Sequence, residues 1–234
     1  MDKQSLRERV WDDLADSGEA RFPFPPHGRI PNFAGADAAA ERLAGLPEWA
    51  AADRLKANPD APQLPVRRRA LEAGKTVYMA VPCLRDERCF YRLDPGALAD
   101  PDAAATVSGV DDHAEQVGPD AVDRVDLVVV GSVAVSLDGA RVGKGEGYSD
   151  LEFAVLTELG LVDEATTVAT TVHESQVREG IEPDAHDVPL DLIVTPGSVI
   201  RTETPHERPD GIDWDALDDE RIAEIPVLER FRPD

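Results

Sequence analysis

Lysine is scarce in this sequence. The 234 residues include 24 basic and 47 acidic residues, for a formal net charge of −23 and a pI near 4.4. Four of the basic residues are lysines: Lys3, Lys56, Lys75 and Lys144. Affinity for a nucleic-acid backbone depends on clustered Lys and Arg. The composition therefore excludes a general nucleic-acid-binding protein.

Long apolar runs are also missing. The sequence contains no stretch of about 18 apolar residues, the length that a membrane span needs. Its N-terminus, MDKQSLRERVWDDL, lacks the apolar core of a signal peptide. We therefore expect a cytoplasmic protein without membrane contact. The hydrophobic share of 42% is ordinary for a globular domain, so the acidity does not indicate disorder.

Aspartate and arginine dominate the charged residues. Of the 47 acids 28 are Asp, and of the 24 basic residues 20 are Arg. An Asp-rich, Lys-poor surface is typical of a protein that stays hydrated in molar salt, where charges are screened within about 3 Å. The composition predicts a halophilic protein, and an acidic mesophilic protein is the alternative.

Cysteine is rare too. Cys83 and Cys89 have no neighbouring Cys or His pair at metal-ligand spacing, so we expect no zinc site. A disulfide is not expected in a reducing cytosol. Both residues are predicted to be small buried hydrophobes.

Strands and helices alternate along the chain. Apolar runs at 75–82, 125–137, 167–172 and 190–196 predict strands, and 87–93 alternates as an outer strand does. The second of these runs is apolar almost throughout, which is typical of a strand buried on both faces of a parallel sheet. The alternation predicts a layered α/β domain.

The first predicted helix begins near the N-terminus. Leu6, Val10 and Leu14 recur at helical spacing, and Ser5 with Glu8 could form a capping box.

Further helices are predicted in two stretches. Residues 34–56 favour a helix in two pieces broken at Pro47, followed by an irregular loop at 55–66 and a helix at 67–73.

The domain boundary is predicted at residue 203. Residues 1–203 form the α/β domain, and 204–234 form an acidic tail with a short helix near 218–224.

A glycine loop, GKGEGYSD at 143–150, is the most informative motif. Its three alternating glycines allow backbone N–H groups to approach a ligand, and the loop leads into a predicted helix whose N-terminus favours an anion. Lys144 adds a point charge and Arg141 a planar fork. Ser149 and Glu152 could form a capping box. The pattern predicts a phosphate site; a flexible surface turn is the alternative.

Two further groups could bind ligands. Asp187 and Asp191 flank an apolar strand start beside His186, and carboxylates at strand ends suit Mg²⁺. Ordinary surface acids are the alternative. Lys3 and Arg7 lie at i and i+4 and could clamp a phosphate, or they form a solvated basic face.

His173 follows a predicted strand and could act as an acid or base. A strand-end histidine whose hydrogen bonds are satisfied within the protein is the alternative.

These motifs occur in the order found in the 5-formyltetrahydrofolate cyclo-ligase family, the methenyltetrahydrofolate synthetases, which the sequence resembles before its tail. The landmarks are KxxLR at Lys3, the glycine motif from Gly139 to Asp150, and HDxxxDxIxT from His186. The resemblance implies a three-layer α/β/α fold with a mostly parallel sheet, like the NagB, RpiA and CoA-transferase folds. It implies ATP- and Mg²⁺-dependent conversion of 5-formyltetrahydrofolate to 5,10-methenyltetrahydrofolate.

The resemblance also implies site residues. Lys144 and Tyr148 would be catalytic, and Asp150 and Asp187 would bind Mg²⁺. The triphosphate of ATP would contact Lys3, Arg7, Arg141, Gly143, Lys144, Gly145, Glu146, Gly147 and Tyr148. The implied partner is a reduced folate or related small molecule, and the chain would be a monomer or homodimer.

Two positions depart from the family pattern. Ser149 replaces a second aromatic residue, and Glu146 stands where typical members are neutral or basic. The usual acidic ExxT segment is replaced by residues 55–67. These traits resemble most the methenyltetrahydrofolate synthetase domain-containing branch, here of haloarchaeal type. For this branch a non-folate substrate, thiamine-related in some plants, or a non-catalytic nucleotide-binding module is the alternative.

Overall fold

The computed structural model describes residues 2–232. Twelve strands are present in this range, at β1 (Ala20–Arg21), β2 (Asn32–Phe33), β3 (Arg54–Ala57), β4 (Thr76–Ala80), β5 (Phe90–Leu93), β6 (Glu115–Val117), β7 (Leu127–Val130), β8 (Ala134–Val135), β9 (Arg141–Val142), β10 (Thr167–Thr171), β11 (Leu192–Val194) and β12 (Val199–Arg201).

Within the same residues there are eight α-helices. They are α1 (Lys3–Asp16), α2 (Ala36–Ala44), α3 (Pro47–Ala51), α4 (Leu64–Glu72), α5 (Pro101–Ala104), α6 (Val110–His113), α7 (Tyr148–Glu158) and α8 (Asp219–Glu224).

Eight strands form the central sheet in the order β12-β11-β10-β7-β3-β4-β5-β6. The pairs from β11 through β10, β7 and β3 to β4 are parallel, whereas β12, β5 and β6 are antiparallel additions. Apolar clusters cover both faces: α7 packs on one through Phe153, and α2 and α4 on the other through Leu43 and Val66. The predicted α/β fold with a mostly parallel sheet is confirmed.

The order in which successive strands are added to this sheet reverses between β3 and β7. From β3 the chain proceeds to β4, β5 and β6 on one side, and from β7 to β10, β11 and β12 on the other. The crevice at the carboxyl ends of strands that flank such a reversal is the usual ligand site of an open parallel sheet. The fold therefore directs attention to the loops that follow β3 and β7.

The largest wrong prediction concerns the central strand β3. The sequence predicts a helix up to residue 56 and an irregular loop at 55–66, whereas residues 54–57 form a mostly buried strand and α4 already begins at Leu64. Lys56 is 1% exposed in this strand. A buried lysine is rare unless it is paired, so the local pattern does not indicate a central strand.

Several other elements differ in detail. The run 125–137 contains two strands, β7 and β8, separated by the irregular residues 131–133. The predicted outer strand β5 is paired on both sides. Asp2 caps α1 by accepting from the N–H of Ser5 at 2.9 Å. Gly147 precedes α7 without a side-chain cap, so Ser149 is not its capping residue.

The C-terminal segment forms its predicted helix, α8. Ile222, Ile225 and Leu228 are buried in the cluster that contains Phe153 of α7. The boundary at residue 203 stays a prediction, and Pro233 and Asp234 at the end of the predicted tail lie outside the described residues.

Candidate functional site

A cleft lies at the carboxyl ends of β3, β4 and β7. Its volume is about 150 Å³, and the loops at 58–60, 81–83 and 131 face the glycine loop across it. A second cavity of about 300 Å³ lies on the other side of the glycine loop, against residues 211–221. The first is the candidate site, because it occupies the crevice where the strand order reverses.

Arg141 is buried beneath the glycine loop. Its Nη1 donates to the carbonyl of Gly131 at 3.0 Å, and its Nη2 donates to both carboxylate oxygens of Asp150. Burial opposes the charged form, but the charge and hydrogen bonds of Asp150 outweigh it and raise the pKa of Arg141. Arg141 therefore joins the loop after β7 to the first turn of α7.

The two predicted metal ligands are each engaged by a cation. Asp150 accepts from Arg141 and, at 3.0 Å, from the N–H of Val188. Asp187 accepts from the ammonium of Lys3 and, at 2.8 Å, from the N–H of Asp184. The two carboxylates lie in one neighbourhood, and each is already paired with a cation of the chain: both oxygens of Asp150 and Oδ2 of Asp187 accept hydrogen bonds. As arranged, this pair does not fit a magnesium ion.

Asp184, His186 and Asp187 bring one ligand atom each within 4.8 Å of one another. Lys3 places its ammonium on both acids, at 2.7 Å from Asp184. A cation of the chain itself thus offsets part of the negative charge of this group.

The predicted clamp of Lys3 and Arg7 is divided. Lys3 contacts the acids just described, whereas Arg7 donates from Nε to the carbonyl of Gly143 at 2.7 Å. Gly145 lies against Arg7: a Cβ there would be 3.4 Å from the guanidinium carbon, and its φ of +106° itself favours glycine. Arg7 thus holds the glycine loop.

Lys144 lies on the rim of the cleft, about one-third exposed. Its ammonium pairs with the carboxylate of Glu146 at 2.8 Å. The positive charge that the loop offers to an anion is thereby partly neutralised by its own neighbour.

Tyr148 begins α7 and lines the cleft near Cys83. Its Oη accepts from Nη1 of Arg221 at 2.7 Å, and the Arg221 guanidinium lies 3.9 Å from the ring centroid. Burial and the neighbouring Cys83 raise the pKa of Tyr148, against the effect of Arg221. Cys83 is exposed, so its predicted burial is wrong, while Cys89 is buried as predicted.

A buried polar network below the cleft was missed by sequence reasoning. Lys56 pairs with Glu152 and donates to Oδ1 of Asn58 at 2.6 Å; the amide of Asn58 donates to Oγ of Ser149 at 3.2 Å. Burial raises the pKa of Glu152 although Lys56 opposes the shift. The chain has four lysines, so each of them is informative, and this scarcity could have pointed to Lys56.

Asp60 is a second residue that was missed. Arg67, which is 1% exposed, holds its turn by donating to the carbonyls of Asn58, Pro59 at 3.2 Å and Asp60 at 3.1 Å. Burial lowers the pKa of Arg67 to about 10 and raises the pKa of Asp60. Within residues 2–232 the Asp60 carboxylate forms no ion pair closer than 4 Å, and it lines the cleft.

Known proteins resemble this chain in sequence. A family model described as the 5-formyltetrahydrofolate cyclo-ligase family matches residues 1–196. The chain belongs to this cyclo-ligase family. Relatives named methenyltetrahydrofolate synthase domain-containing protein are 44% identical in Mus musculus and 39% in Homo sapiens, each over 99% of this chain. The chain spans 63% and 62% of the length of these two relatives.

The cyclo-ligase fold is also found by comparison of structures. The NMR structure of Aquifex aeolicus 5,10-methenyltetrahydrofolate synthetase superposes with a TM-score of 0.57 over 88% of this chain and 96% of that chain. The sequence identity is 22%, so this likeness shows the shared fold alone.

Two other residues that the sequence suggested as ligand-binding or catalytic, His173 and Asp191, form hydrogen bonds within the protein. His173 caps a short turn, its Nδ1 lying 2.9 Å from Oγ of Ser175. Asp191 accepts from the N–H of Val168 at 2.7 Å and from Arg208. Both fit the alternatives stated for them. No helix among residues 2–232 has the length and hydropathy of a membrane span.

Proposed function

We propose that this chain catalyses the ATP-dependent cyclisation of 5-formyltetrahydrofolate to 5,10-methenyltetrahydrofolate. The supporting observation is the cleft at the reversal between β3 and β7, which joins the glycine loop to Asp60 in a chain of the cyclo-ligase family. In this proposal the chain is an enzyme, a ligase of one-carbon metabolism.

The proposed reaction proceeds in two steps. The formyl oxygen attacks the γ-phosphorus of ATP, and ADP departs. N10 of the folate then attacks the activated formyl carbon, N10 loses its proton, and phosphate leaves with the former formyl oxygen. Phosphoryl transfer depends on positioning and on charge neutralisation more than on a covalent nucleophile, which matches a cleft of backbone N–H groups and cations.

The residues of the glycine loop have distinct proposed roles. The N–H groups at 143–148 bind the triphosphate at the N-terminus of α7. Lys144 supplies a point charge, and Arg7 and Arg141 hold the loop from below through Gly143 and Asp150.

The opposite wall binds the second substrate. On this wall Asp60 accepts hydrogen bonds from N–H groups of the pterin ring, and Tyr148, at the start of α7 across the cleft, lies beside the formyl group. Burial raises the pKa of Asp60, so a donor that pairs with this partly desolvated carboxylate gains more than it would in solvent.

The family resemblance implies magnesium, which would neutralise phosphate charge. Asp150 and Asp187 are occupied by Arg141 and Lys3, so no step is assigned to a metal held by this pair. Magnesium dependence stays a prediction, which removal of the ion with a chelator tests.

A non-folate substrate is the second candidate, thiamine-related or otherwise. Glu146 neutralises Lys144 at 2.8 Å, and Ser149 is bonded to Asn58, so both departures from the family pattern face the cleft. A nucleotide-binding module without catalysis is compatible with the same geometry.

The deciding experiment follows methenyltetrahydrofolate by its absorbance. The chain, in molar salt, is given 5-formyltetrahydrofolate with ATP and Mg²⁺, and each component is omitted in turn. Lys144→Ala should lower kcat/KM, whereas Lys75→Ala, at the amino end of β4, should not. ATP binding without product in the unmodified chain would favour a non-folate substrate.

We also propose that the chain functions in a high-salt cytoplasm. Support comes from the 47 acids against 24 basic residues. The midpoint of unfolding should rise between 0.1 M and 3 M KCl, since salt screens the repulsion that comes with a net charge of −23. Equal stability in both solutions would contradict the proposal.

A further inference from the structure

The C-terminal segment, residues 204–232, packs against the glycine loop. It lies beyond residue 196, where the match to the family model ends. Ile222, Ile225 and Leu228 anchor it in the apolar cluster that also contains Phe153 of α7. The segment is thereby attached to the helix that follows the loop.

Arg221 is the residue through which the segment contacts the loop. Its Nη1 donates to Oη of Tyr148 at 2.7 Å, its Nη2 donates to the carbonyl of Glu146 at 2.5 Å, and its guanidinium lies 3.9 Å from the Tyr148 ring centroid. One side chain therefore bridges both neighbours of Gly147, whose φ is +70°.

Arg221 is itself held in place. Its backbone N–H donates at 2.7 Å to Oδ1 of Asp218, the residue that caps α8. The next residue, Ile222, is buried in the core. The guanidinium thus projects from a fixed helix turn onto the bend at Gly147.

We propose that Arg221 is a positioning residue for the glycine loop. It holds the turn at Gly147 in the conformation that presents N–H groups to the phosphates of a nucleotide. Order established before binding lowers the entropic cost of association. This inference rests on the proposed function, because it takes the loop to be the ATP phosphate site.

The test compares Arg221→Ala and Arg221→Lys with Arg230→Ala as matched control. Arg230 belongs to the same segment and pairs with Asp120 at 2.7 Å. Hydrogen–deuterium exchange at 143–148, ATP affinity by calorimetry, and kcat and KM for ATP are measured on the full chain in molar salt.

Arg221→Ala should speed exchange at 143–148 several-fold and weaken ATP binding about tenfold. KM for ATP should rise with kcat at saturating ATP unchanged, because the chemical step keeps its groups. Arg221→Lys retains a cation over the Tyr148 ring and should recover part of the loss. Arg230→Ala should change neither exchange in the loop nor ATP affinity.

The other outcomes are equally decisive. Loop exchange in Arg221→Ala equal to that of Arg230→Ala would overturn the inference. Faster exchange with unchanged ATP affinity would overturn it too, since the loop would then be ordered for another purpose. Should the unmodified chain bind no ATP while Arg221→Ala still speeds loop exchange, the proposed function fails and the positioning of the loop by Arg221 stands.

Discussion

Two lysine–glutamate pairs lie beside the candidate cleft in opposite environments. Lys56 and Glu152, the floor pair, are 1% and 7% exposed, whereas Lys144 and Glu146, the rim pair, are 36% and 50% exposed. Attraction between charges and the cost of removing them from water are both larger at low dielectric. The same residue types are therefore expected to control folding in the first pair and ligand binding in the second.

The largest effect should come from breaking the floor pair. Glu152→Gln leaves the Lys56 ammonium buried without its partner, so we expect about 3–5 kcal/mol less unfolding free energy. Urea denaturation in molar salt measures it. Glu164→Gln, at an exposed position, is the control and should change stability by less than about 0.5 kcal/mol.

Replacing both partners sharpens the comparison. Lys56→Met combined with Glu152→Leu removes both charges, and a well-packed apolar pair can be as stable as a buried ion pair. We expect the double variant to regain most of the stability that Glu152→Gln loses. A double variant as unstable as the single one would show that packing, and not the orphaned charge, causes the loss.

Breaking the rim pair should affect binding instead. Lys144→Ala removes the charge that we propose contacts phosphate, so ATP binding should weaken by about 1–3 kcal/mol, measured by calorimetry. Unfolding free energy should be nearly unchanged, because exposed pairs contribute little. A large loss of stability with intact ATP affinity would reverse the assignment of the two pairs.

Removing the charge of Glu146, the acidic member of the rim pair, should have the opposite effect on ATP affinity. Glu146→Gln releases Lys144 and removes a negative charge beside the phosphates. We expect ATP to bind more tightly, by less than about 1 kcal/mol at this exposure. Asp138→Asn, outside the cleft, serves as the charge-matched control. Weaker ATP binding by Glu146→Gln would mean that Glu146 contacts the ligand directly.

The two cysteines also differ in exposure, one at the rim of the cleft and one in the interior. Cys83 lines the cleft and is exposed, while Cys89 is buried, which raises its pKa to about 12. A thiol reagent at neutral pH should therefore label one cysteine in the folded chain and both after unfolding. Cys83→Ser should abolish labelling of the folded chain, and persistent labelling would place Cys89 within reach of solvent.

The parts that follow from local pattern were predicted from sequence. The apolar runs became β4, β7, β10 and β11, because strands buried on both faces need continuous apolar residues. The bend before α7 was predicted from its glycines, and φ values of +106° at Gly145 and +70° at Gly147 explain their presence.

The parts of the structure that depend on partners distant in the chain were not predicted from the sequence. Strand β3 escaped detection because Lys56 is compatible with a central strand only when Glu152, 96 residues later, is paired with it. Arg221 lies 73 residues beyond Tyr148 and belongs to no local motif. Asp60 lies in the cleft because Arg67 holds its turn there, and the sequence around Asp60 does not indicate this contact.

Residue order alone thus determined the layered α/β frame, the glycine-rich bend before α7 and the acidic composition, since each depends on neighbours along the chain or on a simple count. The tertiary structure decided which cation meets which acid: Arg141 with Asp150, and Lys3 with Asp187. Charges attract any opposite charge, so their pairing depends on distances that exist only after the backbone has folded.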